Sequence, residues 1–179
     1  MKVIGICGST RVGSNTEILL RETLKTMEKS GAETELILLR EKNIQLCGGC
    51  DKCSGTGQCE IEDDMQEINE KLSNSDVIIF GSPTYFDNVT GLMKIFMDRT
   101  DPLWPSKKLK NKSAGVIVVG EIGPESMRKS MRSIMDFCVD HRMIIKGGLM
   151  VKSYKENEIA GKENILEEAR KLGKKLLKV

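Results

Sequence analysis

Five short apolar runs alternate with amphipathic stretches along this chain, and that alternation leaves few folds open. Val3–Cys7, Glu33–Leu39, Asp76–Ser82, Ala114–Val119 and Met143–Val151 read as strands. The most apolar of them, such as Val77-Ile78-Ile79-Phe80, suit strands buried on both faces. Between them stand helical stripes: Leu20, Leu24 and Met27; Met65, Ile68 and Leu72; the run Gly91–Arg99; and Met127, Met131, Ile134 and Cys138. Ile165, Ala169, Leu172 and Leu176 stripe a closing helix. Asp63 or Asp64 can cap the second helix, Pro124 can open the fourth, and a bulge is predicted at Gly147-Gly148. Right-handed crossovers then give a parallel sheet covered on both sides, a doubly wound α/β architecture. No repeat or boundary interrupts the pattern, so residues 1–179 are predicted to form one domain, with a cysteine-rich loop at 46–60.

In such sheets a ligand sits beyond the carboxyl ends of the strands. Three loops should reach that edge: Gly8–Thr16, Pro83–Thr90 and Gly120–Pro124. The first is rich in glycine and hydroxyls and ends where a helix begins. Free N–H groups and the helix dipole attract an anion there. Ser9, Ser14 and Thr16 add hydroxyls, Asn15 an amide and Arg11 a fixed charge. The loop lacks the lysine of a nucleotide-triphosphatase loop and has no clean G-x-G-x-x-G. Its hydroxyls suit a terminal monophosphate, as in a flavin mononucleotide (FMN). The plain alternative is a helix start capped by Ser14 or Asn15. In the second loop, Tyr85 and Phe86 can cover a flat ring, and Asn88 can address its polar edge. The whole chain has only four phenylalanines and two tyrosines, so an adjacent pair here is informative. The alternative is a loop pinned to the domain by its aromatics.

These residues carry a resemblance. Gly8–Thr16 is similar to the G-S-x-R-x-x-S-N-T phosphate loop of NAD(P)H-dependent FMN reductases. Ser82-Pro83-Thr84-Tyr85, with Asn88, Lys94 and Asp98-Arg99, resembles that family's second motif. The resemblance implies a flavodoxin-like fold of strand order 2-1-3-4-5 that binds FMN without a covalent link. By it, Ser9, Arg11, Ser14, Asn15 and Thr16 take the phosphate. Pro83, Thr84, Tyr85, Phe86 and Asn88 border the isoalloxazine, and Gly120 joins them from a loosely matching third loop.

Cys47, Cys50, Cys53 and Cys59 are spaced C-x2-C-x2-C-x5-C and interleaved with Gly48, Gly49, Gly55 and Gly57. Thiolates at this spacing can share one cubane, with the glycines letting the backbone wrap around it. A zinc site or uncoordinated thiols are the alternatives. The spacing resembles the compact cysteine motif of the iron–sulfur flavoproteins, a branch of the same family. That resemblance implies a [4Fe–4S] cluster, a homodimer or homotetramer, and reduction of dioxygen or hydrogen peroxide. A one-electron protein donor such as ferredoxin suits a cluster feeding a flavin, with a quinone as the second acceptor class. The competing readings are an NAD(P)H-dependent FMN or quinone reductase without a cluster, and a non-enzymatic electron carrier. No catalytic acid–base pair is predicted, since the cofactors would carry the chemistry.

A formal net charge of +2 gives no argument for nucleic acid or an anionic membrane. With no apolar run of membrane length and no leader-like start, a cytoplasmic location is expected. Cys7 and Cys138 are predicted to be packing residues. His141 is predicted at the surface or as a helix cap, Trp104 in a connection or subunit contact, and Lys107–Lys112 on a solvated face.

Overall fold

The structure, a computed structural model, describes residues 1–178. Its five-stranded sheet has the order β2-β1-β3-β4-β5, every pairing parallel. The strands are β1 (Lys2–Cys7), β2 (Glu33–Leu38), β3 (Val77–Pro83), β4 (Ser113–Gly120) and β5 (Ile144–Lys152). The helices are α1 (Asn15–Glu28), the five-residue α2 (Lys52–Thr56), α3 (Met65–Asn74), α4 (Gly91–Asp98), α5 (Pro124–Asp140) and α6 (Glu163–Leu176). The architecture is the flavodoxin-like one expected, with the cysteine segment inserted after β2.

Alternation along the strands divides the core in two. Ile4, Ile6, Ile78, Phe80, Val116 and Val118 face α3, α4 and α5. Val3, Cys7, Val77, Ile79, Ile117 and Val119 face α1 and α6. Burying each large apolar side chain contributes about 1.5–3 kcal/mol. The second face is notched. A β-carbon built on Gly81 would stand 2.6 Å from Leu20 Cδ1, on Gly5 2.9 Å from Leu24 Cδ1, and on Gly115 2.9 Å from Leu176 Cδ1. Three leucines therefore seat in spaces that only glycine leaves open.

The bulge falls one residue before the predicted glycines. Ala114 pairs with Ile145 and Gly115 with Gly147, so Lys146 is the extra residue. Asp64 stands at the N-cap of α3 without a side-chain cap bond, and Asp63 supplies one instead, its Oδ1 accepting from Met65 N at 3.0 Å. His141 closes α5 but is buried, 3.2 Å from Thr100 Oγ1 and packed edge-on against Phe137. Lys112 leaves the solvated face, its Nζ donating to Ser73 O at 2.8 Å and to Ser75 O. Trp104 is exposed. Among the described residues no helix is long and apolar enough to cross a membrane.

Candidate functional site

The first loop leaves β1 with its backbone already tied to the second. Gly8 N donates to Gly81 O at 2.8 Å, and Thr90 Oγ1 donates to Gly8 O at 2.6 Å. Gly13, at φ +62°, turns the chain into α1. Ser14 Oγ accepts from Glu17 N at 3.2 Å, so the plain N-cap role is filled. Ser9, Ser14 and Thr16 are all buried around the helix start. Beneath them lies a buried carboxylate, Glu17, which accepts from Gly13 N at 3.1 Å, Arg21 Nε at 2.9 Å and Arg40 Nη1 at 2.8 Å. Burial alone would raise the Glu17 pKa, but the two arginines outweigh it and hold the carboxyl below its usual range. Their charges offset the carboxylate, so the loop's N–H groups and Arg11 keep their pull on an anion.

The three predicted loops converge on one narrow cleft of about 110 Å³. Ser9, Arg11, Ser14, Asn15 and Thr16 form its floor, with Pro83, Thr84 and Tyr85 on one side and Val119, Gly120 and Glu121 on the other. Larger cavities of about 530 Å³ lie elsewhere, one beside the cysteine segment and one at the opposite sheet edge. Only the small cleft combines an anion cradle with the carboxyl ends of the strands. A phosphate-sized head fits it, leaving anything larger to extend over the rim. One wall holds a group lacking a partner: Thr84 Oγ1 is buried and unbonded, although Thr84 N donates to Val119 O at 2.8 Å. A buried hydroxyl left unpaired costs about 1–3 kcal/mol, so this wall suits a ligand that hydrogen-bonds. Thr84→Val should therefore raise the flavin-free melting temperature while weakening FMN about ten-fold. Thermal melts with and without FMN check the opposite signs.

A fourth wall was missed from the sequence. Ser153 and Tyr154 follow β5 and line the same cleft. Asn15 holds them there: its Nδ2 donates to Ser153 Oγ and to Lys155 O, both at 2.8 Å, and its Oδ1 accepts from Ile159 N at 3.2 Å. The amide assigned to the phosphate is thus committed to a strap, and only the backbone of Asn15 is left for an anion. Glu158 secures the same strap through Ser153 Oγ at 2.8 Å, Tyr154 N at 3.0 Å and Lys155 N at 3.2 Å. Lys162 first, then these donors, pull its pKa down to about 2. The signal for this wall was position alone, a Ser-Tyr pair just past the carboxyl end of a strand.

In the aromatic loop the backbones of Tyr85 and Asn88 exchange hydrogen bonds of 2.8 and 3.1 Å. Phe86 and Asp87 turn the corner at φ +48° and +63°, a region unfavourable to a bulky side chain. Tyr85 lines the cleft, whereas Phe86 is fully exposed. Asn88 Oδ1 accepts from Val89 N at 2.8 Å and so serves its own loop. Asp87 pairs with Lys129 of α5 at 2.7 Å.

The four clustered cysteines lie on the surface side of the insertion. Cys47 and Cys50 are exposed, and Cys53 and Cys59 half-buried. Among the described residues, no three cysteine, histidine or acidic side chains gather as a metal requires. Cys53 Sγ instead donates to Asp101 Oδ2 at 2.9 Å. Burial, then Asp101, push that thiol up to about 12. Gly49 and Gly57 stand at φ +65° and +70° with no side chain crowding them. In kind, four thiols on so short and permissive a segment fit a cluster. Cys7 and Cys138 are buried in the two cores, their thiols pushed up to about 11 and about 12 chiefly by burial, as packing residues should be.

Comparison with known proteins accords with this geometry. The model of the NADPH-dependent FMN reductase family matches residues 1–156. An iron–sulfur flavoprotein of Methanocaldococcus jannaschii is 39 % identical, the alignment covering 100 % of this chain and 97 % of that one. Another, from Methanosarcina thermophila, is 32 % identical over 96 % of this chain and 93 % of its own. Among solved structures, an NAD(P)H:quinone oxidoreductase from Methanothermobacter marburgensis superposes with a TM-score of 0.76 at 16 % identity, covering 98 % of this chain and 96 % of that one, a likeness of fold alone. Phosphate-type cradle, flavodoxin-like sheet and full-length relatives agree: the chain belongs to the iron–sulfur flavoproteins of the NADPH-dependent FMN reductase family and is an FMN-dependent oxidoreductase.

Proposed function

We propose that FMN binds phosphate-down in the Gly8–Thr16 cradle and that Cys47, Cys50, Cys53 and Cys59 hold one [4Fe–4S] cluster. The enzyme then takes electrons from a one-electron protein donor, ferredoxin by chemistry, and reduces dioxygen or hydrogen peroxide. Two electrons from the donor and two protons from solvent convert one hydrogen peroxide to two waters. The observation that carries the flavin site is the unpaired Thr84 hydroxyl facing an anion cradle in one cleft. When bound, FMN supplies one- and two-electron redox chemistry and a cluster supplies single electrons. The chain's own part is to bind and orient. Arg11 and the α1 N–H groups neutralise the phosphate, Ser9 and Ser14 fix its depth, and Tyr85 covers the ring's inner edge. Ser153 and Tyr154 close the far wall and exclude water there. A cytoplasmic homodimer or homotetramer completes the reading.

A cluster-free NAD(P)H-dependent FMN or quinone reductase is the second reading, favoured by one observation: the four thiols are not gathered. Oxygen-free purification separates the two. Iron and sulfide near four each per chain, falling severely in any of Cys47→Ala, Cys50→Ala, Cys53→Ala or Cys59→Ala, is the expected result. Negligible iron, with flavin reduced stoichiometrically by NADPH and unresponsive to ferredoxin, would give the second reading.

A further inference from the structure

Among the fully buried side chains, Arg99 is the largest, and it serves the cysteine segment. Its guanidinium grips Asp63 with both arms, Nη1 to Oδ2 at 2.6 Å and Nη2 to Oδ1 at 3.0 Å. The two side chains are 1 % and 0 % exposed. Nη1 also donates to Gln45 O at 2.8 Å, and Nη2 to Ile61 O at 3.4 Å. Asp63 Oδ2 accepts in turn from Gln45 N at 2.8 Å. One rung outward, Asn43 N donates to Asp64 Oδ2 at 2.8 Å, and Asp64 N donates to Asn43 O at 3.1 Å. Residues 43–45 and 61–64 are therefore zipped together, and everything between them, the four thiols included, is a closed loop. Arg99 and Cys59 line one cavity of about 530 Å³.

We propose that Arg99 is a positioning residue for the four-thiol site: it closes the root of the cysteine loop and sets a fixed positive charge on the cavity it shares with Cys59. The inference rests on the cluster reading above. Closing the root before any metal arrives removes the ordering entropy that ligation would otherwise have to overcome. A planar fork suits the task, because it reaches a carboxylate and two separate carbonyls at once. Stability alone does not account for the pair, since buried ion pairs contribute little beyond what apolar residues of similar volume would.

The test loads the full-length protein with ferrous iron and sulfide without oxygen, FMN occupancy reporting the fold. Arg99→Gln and Asp63→Asn should each lose iron to a chelator about 10- to 100-fold faster than wild type. Arg99→Lys should fall between them and wild type. Potentiometry adds a readout that loosening alone would not produce. Removing the positive charge should lower the cluster's midpoint, removing the negative charge should raise it, and Arg99→Lys should leave it near wild type. Should Arg99→Gln hold no FMN, Arg99→Lys and Asp63→Asn decide. Equal iron retention and unshifted midpoints in folded variants would overturn the inference and leave the cluster reading standing. A wild type that takes up no iron would overturn both.

Discussion

Replacing Arg11 and Ser14 together by alanine should weaken FMN about 100- to 1,000-fold. Arg11 is more than half exposed, and its one ion-pair partner among the described residues, Glu156, stands 3.6 Å away. Such a pair is worth under about 1 kcal/mol, so the guanidinium is free to turn to a phosphate. A charge-assisted hydrogen bond there contributes about 1.5–3 kcal/mol. Ser14 acts twice, as a hydroxyl at the cradle floor and as the cap of α1, the cap alone being worth about 1 kcal/mol. Flavin fluorescence quenching measures the affinity, and circular dichroism shows whether α1 survives. Full flavin occupancy in the double variant at micromolar protein would place the phosphate elsewhere.

The largest stability effect should come from Arg99→Ala. It strands Asp63, whose side chain is 0 % exposed, as an uncompensated buried charge. Breaking such a pair costs about 3–5 kcal/mol, a third or more of a typical domain's stability, and lowers the melting temperature by about 10 °C. The pH dependence follows from Asp63. Burial would raise its pKa, but Arg99 and the N–H groups of Gln45 and Met65 outweigh that and hold it below the usual carboxylate range. A group whose folded pKa is depressed contributes stability above its unfolded value, about 4, and loses that contribution as pH falls through the folded value. Without Arg99, burial dominates and the sign reverses. The gap between wild type and variant should accordingly begin to narrow above about pH 4, as pH falls through the variant's raised value, and go on narrowing through the wild type's depressed one. Urea titrations at neutral and acid pH check this. A gap independent of pH would mean that Asp63 is not the stranded charge.

The strands and most helices were legible because their signal is local: apolar runs, a 3.6-residue stripe, Pro124 at a helix start. That Ser9, Arg11, Ser14, Asn15 and Thr16 meet at one cleft was legible for the same reason, since all lie within Gly8–Thr16. What failed was whatever depends on distant partners. Asn15 looks like a phosphate ligand until Ser153, Lys155 and Ile159 claim its amide. His141 does cap its helix, but Thr100 and Phe137 close over it and take it off the surface. Arg99 closes an ordinary helix in the sequence, and only tertiary contact makes it the bolt of a loop 36 to 54 positions away. The cysteine spacing sets four thiols on one short segment, but the fold alone does not gather them.

The leucines seated on Gly5, Gly81 and Gly115 carry a consequence for chemistry performed a turn or more away. They set the altitude of α1 and α6 above the sheet, and α1 begins at the cradle. Adding one methyl at Gly81 pushes on Leu20 and Thr16 together. The helix would have to rise or tilt, carrying its first N–H groups off the phosphate. On the proposed flavin site, a substitution that touches no ligand would then be read first as faster flavin dissociation, the sheet's missing side chains serving as the spacer that sets the height of α1.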